Sequence, residues 1–228
     1  MQPQFQITGQ PSVELAQQQN KVLRNTYLLL ALSMLPTVVG AIVGVQMGLF
    51  TGSPMLFLLV FLGGAFAFIW GIRRTQDSAL GVVLLLGFTF FMGLMLSPML
   101  QVALGFSNGS SLIATAAGGT GAIFFTLAGI ATVTKKDFSF IGKFLFIGLV
   151  VIILASLANI FFQIPVLSLT VSAVAIMIFS GYILYDISQI VHGGETNYIA
   201  ATLKVYLDVF NIFVNLLNIL MLLSGRRD

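Results

Sequence analysis

The sequence predicts an all-α integral membrane protein, a bundle of seven transmembrane helices. Three observations predict it. Of 228 residues, 58% are hydrophobic and only 7% are charged, and the mean hydropathy is +1.04, an apolar share far above that of a soluble domain. Uncharged runs of about 20 residues recur along the chain, the length at which an α-helix crosses roughly 30 Å of hydrocarbon. Helices and closed barrels are the architectures that satisfy every backbone group in lipid, and runs that are continuous rather than alternating select helices.

Before the first run lies a polar tail, from Met1 to about Asn20, with seven Gln, two Pro and no Lys or Arg. It lacks the basic-then-apolar order of a signal peptide and reads as a disordered cytoplasmic tail over residues 1–20. Residues 21–228 then form one domain. Its spans are predicted near Tyr27–Met47, Met55–Ile72, Ala79–Gln101, Ser111–Val133, Phe140–Phe162, Val166–Ile190 and Ala201–Leu223. Pro54 and Pro165 suit helix starts, whereas Pro36 and Pro98 fall inside spans and predict kinks. The connections are too short to hold a soluble domain.

Charge sets the orientation. With the N-terminus in the cytoplasm, the inside segments carry Lys21, Arg24, Arg73, Arg74, Lys135, Lys136, Lys143 and Lys204, while the outside loops around Gly52, Ser107 and Gln163 carry no Lys or Arg. That asymmetry follows the positive-inside rule. Only Arg226 and Arg227, at a C-terminus predicted to lie outside, disagree, and a last segment that re-enters without crossing would remove the conflict. The absence of Cys excludes disulfides, thiolate metal sites and a cysteine nucleophile. A net charge of +3 spread over short connections gives nucleic-acid binding no support.

The last span contains an anomaly, the segment YLDVFNIFVNLLN (206–218). Asp208, Asn211, Asn215 and Asn218 are spaced three, four and three apart, so they share one helix face that should point into the bundle. The preceding span ends GYILYDISQIVHGGE, which puts Asp186 about one turn inside the membrane and Asp208 about two turns in from the same side. Contact between these carboxylates across one short loop is geometrically easy. An intramembrane Asp costs on the order of 2.5–3.5 kcal/mol on insertion scales and marks pathways or relays by default. Two close carboxylates cannot both stay ionised alone, so a proton, a basic side chain or a metal ion must sit with them. A purely structural alternative pairs an Asp with Arg73, Arg74 or Lys204 at the cytoplasmic rim.

Other features carry less. Gly40, Gly44 and Gly48 form a small-xxx-small face for close packing inside the monomer. His192, beside Gly193, Gly194 and Glu195, could sense pH, but it reads better as a solvated loop residue. Asn159 and Gln163 suit backbone satisfaction at a helix end. An aspartyl protease would need Gly-x-Gly-Asp at the second carboxylate, and the chain reads Val205-Tyr206-Leu207-Asp208. A retinal protein would need a Lys in the core of the last span, and Lys204 is at its mouth. The chain is predicted not to be an enzyme.

The stretches KVLRNTYLLL (21–30), KKDFSFIG (135–142), ANIFFQIP (158–165), YILYDISQIVHGGETNYI (182–199) and YLDVFNIFVNLL (206–217) resemble the Bax inhibitor-1 family, also called the transmembrane BAX inhibitor motif family. NKVLRNTY and HGGETNYI look most like its bacterial YccA branch. The resemblance implies a bacterial inner-membrane protein with a last helix surrounded by the other six, and the charge asymmetry then puts the C-terminus in the periplasm. It implies two functions. Relatives similar to YetJ are pH-sensitive calcium leaks gated by an aspartate pair, which matches Asp186 and Asp208 as pH-sensing gate and transient Ca²⁺ ligands; an arginine latch in those proteins is nearest to Arg73. On this reading Asn211, Asn215 and Asn218 continue a polar path, and Ca²⁺ is a permeant ion rather than a cofactor. The YccA branch instead implies a substrate and modulator of the membrane AAA protease FtsH, with residues 1–20 as the handle.

Overall fold

The computed structural model describes residues 11–48 and 54–225 of the chain. Its elements are α1 (Pro11–Met47), α2 (Pro54–Thr75), α3 (Ala79–Leu104), α4 (Gly109–Thr134), α5 (Gly142–Phe162), α6 (Pro165–Val191) and α7 (Tyr198–Ser224), with a single 3-10 turn at Ser139–Ile141 before α5. All seven helices are long and apolar enough to cross a membrane. Apolar side chains such as Phe66, Phe125, Phe161 and Met177 cover the outside, as expected where lipid rather than water is the solvent.

Local chemistry sets the ends. Pro54 and Pro165 open α2 and α6, positions where a missing N–H costs nothing. The side chain of Asn197 caps α7 by accepting from Ile199 N at 2.9 Å and Ala200 N at 3.1 Å. Asn159 Oδ1 accepts from Ile164 N at 3.0 Å beyond the end of α5, so this amide does serve the backbone. Pro36 and Pro98 lie inside α1 and α3, which continue through them.

Two expectations change. The stretch 11–20, assigned to the disordered tail, is the first part of α1; residues 1–10 of that tail lie outside the described residues. Gln is a good helix former and Pro11 occupies the first helical position, so the segment can be helical without an apolar face. At 37 residues α1 is about 55 Å long, more than a bilayer core requires. The second change concerns α7. It packs on α1, α2, α3, α4 and α6 but not on α5, so five helices rather than six surround it. Among the helices, α5 packs only against α6, where Leu145 and Ile152 meet Ala175 and Ile178.

The α1–α3 contact is the most extensive in the bundle. A Cβ on Gly40 would sit 2.2 Å from Phe90 O, and one on Gly93 would sit 2.1 Å from Thr37 O, so each helix presents a glycine to the other's backbone. This is the predicted packing inside the monomer. Gly48, the third member of the predicted face, instead follows α1 at φ +60, where its N–H donates to Val45 O at 3.2 Å. Tyr206 sits at the centre, 1% exposed, with its hydroxyl 2.9 Å from that of Thr37 on α1.

Candidate functional site

Helices α6 and α7 run antiparallel from one short connection. At 1.5 Å per residue, Asp186 stands about 8 Å before the end of α6, and Asp208 about 15 Å into α7. Asp186 is 8% exposed and Asp208 5%, and the two carboxyl groups are within hydrogen-bonding reach of each other. Two carboxylate oxygens cannot bond without a proton between them. Accordingly, Asp208 Oδ2 is buried with no donor facing it.

The structure thus joins Asp186 and Asp208 as their depths predicted. It does not bring Arg73 to them. Arg73 is exposed, and it forms no ion pair among the described residues. Its helix packs on α3 and α7 but not on α6, so the expected latch is absent from this conformation. The cation whose field reaches both carboxyls is Lys204, one turn before Asp208 on α7. It pairs with Glu195 at 2.7 Å, with side chains 45% and 16% exposed. A lysine at the mouth of the span was visible in the sequence, but its bond to a glutamate nine residues earlier was not.

The amide stripe divides by depth. Asn211 and Asn215 donate to the carbonyls of Leu207 and Asn211, each at 2.8 Å, so their NH₂ groups are satisfied within α7. Asn218 instead crosses to α6, donating to Ser172 Oγ at 2.8 Å and Ser168 Oγ at 3.2 Å. The two serines are one turn apart, a pairing that their spacing opposite an amide stripe could have revealed. Asp208 and Asn218 therefore both meet α6.

The connection between α4 and α5 closes the same end of the bundle. Ser188 Oγ accepts from Phe138 N at 3.0 Å, and Gln189 Nε2 donates to Ser139 Oγ at 2.6 Å. His192 is not merely solvated: Nδ1 is 2.9 Å from Ser188 O and Nε2 is 3.1 Å from Lys135 O. Asp137 Oδ1 accepts from Ser139 N at 2.8 Å. Hydrogen bonds from the side chain and backbone of Ser139 hold the Asp137 carboxyl below its ordinary range. Asn197 Nδ2 adds bonds to Gln76 O and Asp77 Oδ1 at 3.0 and 2.8 Å, which tie the α2–α3 connection to the start of α7. Three connections thus converge at the end of the bundle nearer the carboxyl pair. Among the described residues no cluster of three or more metal-ligating side chains occurs; the two carboxylates stand without a third acid.

Comparison with known proteins finds relatives along nearly the whole chain. The family described as Inhibitor of apoptosis-promoting Bax1 matches residues 19–226. An uncharacterized membrane protein of Vibrio cholerae is 39% identical over 224 residues, covering 98% of each chain. The Escherichia coli protein named Modulator of FtsH protease YccA is 41% identical over 201 residues, 88% of this chain and 90% of that one. An uncharacterized protein of Campylobacter jejuni is 42% identical over 209 residues, 90% and 89% of the two chains.

Proposed function

This chain belongs to the Bax inhibitor-1 family, and from that premise we propose that it is a multi-pass inner-membrane protein that leaks calcium under the control of the Asp186–Asp208 pair. The observation that carries the reading is a carboxyl pair enclosed between α6 and α7 with one oxygen left unpartnered. A group of this kind is costly in a membrane and marks a pathway by default. Carboxylate and amide oxygens are hard ligands suited to Ca²⁺, and two carboxylates alone make a weak site, which favours passage over storage.

In this mechanism the pair holds a shared proton while the bundle is closed. Loss of the proton sets two negative charges against each other, and the resulting repulsion loosens α6 from α7 and opens a route past Asn211, Asn215 and Asn218. Lys204, held by Glu195, is the cation positioned to respond to that charge. Arg73 could act as a latch only after α2 had moved toward α6. Positive charge at the end bearing Lys21, Arg73, Lys135 and Lys204 favours a cytoplasmic position for that end under the positive-inside rule, and this reading carries the C-terminus to the periplasm. The test is calcium entry into liposomes holding only this protein: flux supports the leak, and its absence at every pH rejects it.

A second reading rests on the relative named Modulator of FtsH protease. On it, this chain is a substrate and modulator of that protease, and the segment before α1 is where degradation begins. Removing residues 2–10 should then lengthen the protein's lifetime only in cells that contain FtsH. An equal lifetime for both forms would reject this role for the segment.

A further inference from the structure

The backbones of α1 and α4 do not approach each other among the described residues, and the two helices touch through Tyr27, which meets Phe124 and Thr132 at one end. Between them runs a cleft of about 1110 Å³, floored by α3 and α7 through residues such as Leu100, Val209 and Phe213 and walled by Met34, Val38 and Phe125. It is larger than the roughly 300–1,000 Å³ of ordinary small-molecule pockets. The cleft extends from Tyr27 and Thr132 at one end of the bundle to Gln46 and Leu104 toward the other. Its shape suits an extended apolar chain. Tyr27 and Thr132, joined through their hydroxyls at 3.2 Å, bridge the two helices at one end.

Beyond that bridge the chemistry changes abruptly. Lys21 and Arg24 stand on α1, and Lys135 and Lys136 follow α4, all exposed and none in an ion pair among the described residues. Arg24 lies one turn before Tyr27 and so continues the α1 wall of the cleft, and Lys135 caps α4 in the left-handed region, three residues past Thr132. Against these four cations, the segments 21–24 and 135–137 hold only the carboxylate of Asp137, which is occupied by Ser139. The opposite end has no equivalent, since neither helix carries another Lys or Arg.

We propose that the α1–α4 cleft binds an anionic phospholipid, with an acyl chain along the cleft and the headgroup phosphate among Lys21, Arg24, Lys135 and Lys136. Basic pockets between membrane helices recognise such headgroups, at about 1 kcal/mol for each nearby cation. A soluble anion would use the cations and leave the apolar length empty; a neutral lipid would do the reverse. Charge and apolar length together select a lipid that carries both.

The test titrates the detergent-purified full chain with phosphatidylglycerol or with phosphatidylcholine of the same acyl chains and reads bound lipid by native mass spectrometry. Phosphatidylglycerol should bind about tenfold more tightly or better. Arg24→Gln and Lys135→Gln should each weaken it about fivefold and leave phosphatidylcholine unchanged. Gly121 and Gly129 line the cleft, and a Cβ on either meets nothing within 4 Å, so Gly121→Leu with Gly129→Leu should fill the space in a folded protein and abolish binding of both lipids. Gly118 does not line the cleft and has equal room, so Gly118→Leu should bind as the wild type does. Equal affinity for the two lipids, or unchanged phosphatidylglycerol binding in the filled variant, would overturn the proposal.

Discussion

Asp186 and Asp208 face each other across the α6–α7 interface, and Asp208 Oδ2 has no donor other than what its partner can bring. Neither aspartate has a salt bridge within 4.0 Å among the described residues; Lys204, the cation whose field reaches them, is committed to Glu195. An arrangement that stores one proton or one cation at a helix interface couples its occupancy to the packing of that interface. The same two helices are joined farther out by Asn218 and the serines of α6, so carboxyl chemistry and helix separation belong to one surface.

The outer end of that surface makes the first prediction. Asn218→Ala removes bonds to Ser168 and Ser172 and should destabilise the bundle by about 0.5–1.5 kcal/mol, read from melting in detergent. Combined with Ser172→Ala, the losses should be less than additive, because the two groups share a bond. Strict additivity would mean that the bond does not form.

Glycine at the α1–α3 crossing makes the second. Gly40→Ala drives a methyl toward Phe90 O and should cost about 1–3 kcal/mol or more as the helices separate. Gly63 on α2 has nothing within 4 Å of a new Cβ, so Gly63→Ala should be neutral or stabilising by up to about 1 kcal/mol. Equal melting temperatures for the two variants would contradict this packing.

Orientation is checked by labelling. Ser139, Thr196, Ser107 and Gln163 are exposed, and the chain has no Cys of its own. Cysteines at Ser139 and Thr196 should be shielded from an impermeant reagent added outside intact cells, while cysteines at Ser107 and Gln163 react. The reverse pattern would invert the bundle and put the carboxyl pair near the outer face.

Asp137 offers a pH test outside the membrane. Its folded-state carboxyl lies below the ordinary value of 3.8 because Ser139 hydrogen-bonds the ionised form. Its stabilisation is therefore present above that ordinary value and lost as pH falls through the folded one. Asp137→Ala should melt at a slightly lower temperature than the wild type at neutral pH, and the difference should vanish on acidification below 3.8. A difference that grew with acidification would contradict the assignment.

Much of this architecture was legible because lipid imposes a simple rule of length and apolarity. The spans were readable to within a few residues, except where α1 extends back to Pro11 through Gln-rich sequence that has no apolar face to report it. The carboxyl pair was legible because a short loop fixes the relative depth of α6 and α7. Contacts spanning long sequence separations were not. His192 reaching Lys135 and Asn197 reaching Asp77 depend on how three connections converge, and nothing in local spacing encodes that. Arg73 came from the family resemblance rather than from spacing, and nothing in the local sequence reports that α2 makes no contact with α6 in this conformation.

The central claim is that Asp186 and Asp208 gate a calcium leak, and it is tested most directly by calcium flux into liposomes containing only this protein, measured across a pH series for the wild type, Asp186→Asn and Asp208→Asn. Flux in the wild type should vary with pH, the leak in Asp186→Asn should be largely pH-insensitive, and Asp208→Asn should show a shifted midpoint with weakened calcium entry. Because Asn is nearly isosteric with Asp, folding should change less than flux. Wild-type flux with the same pH profile in both variants, or no flux from the wild-type protein at any pH, would contradict it.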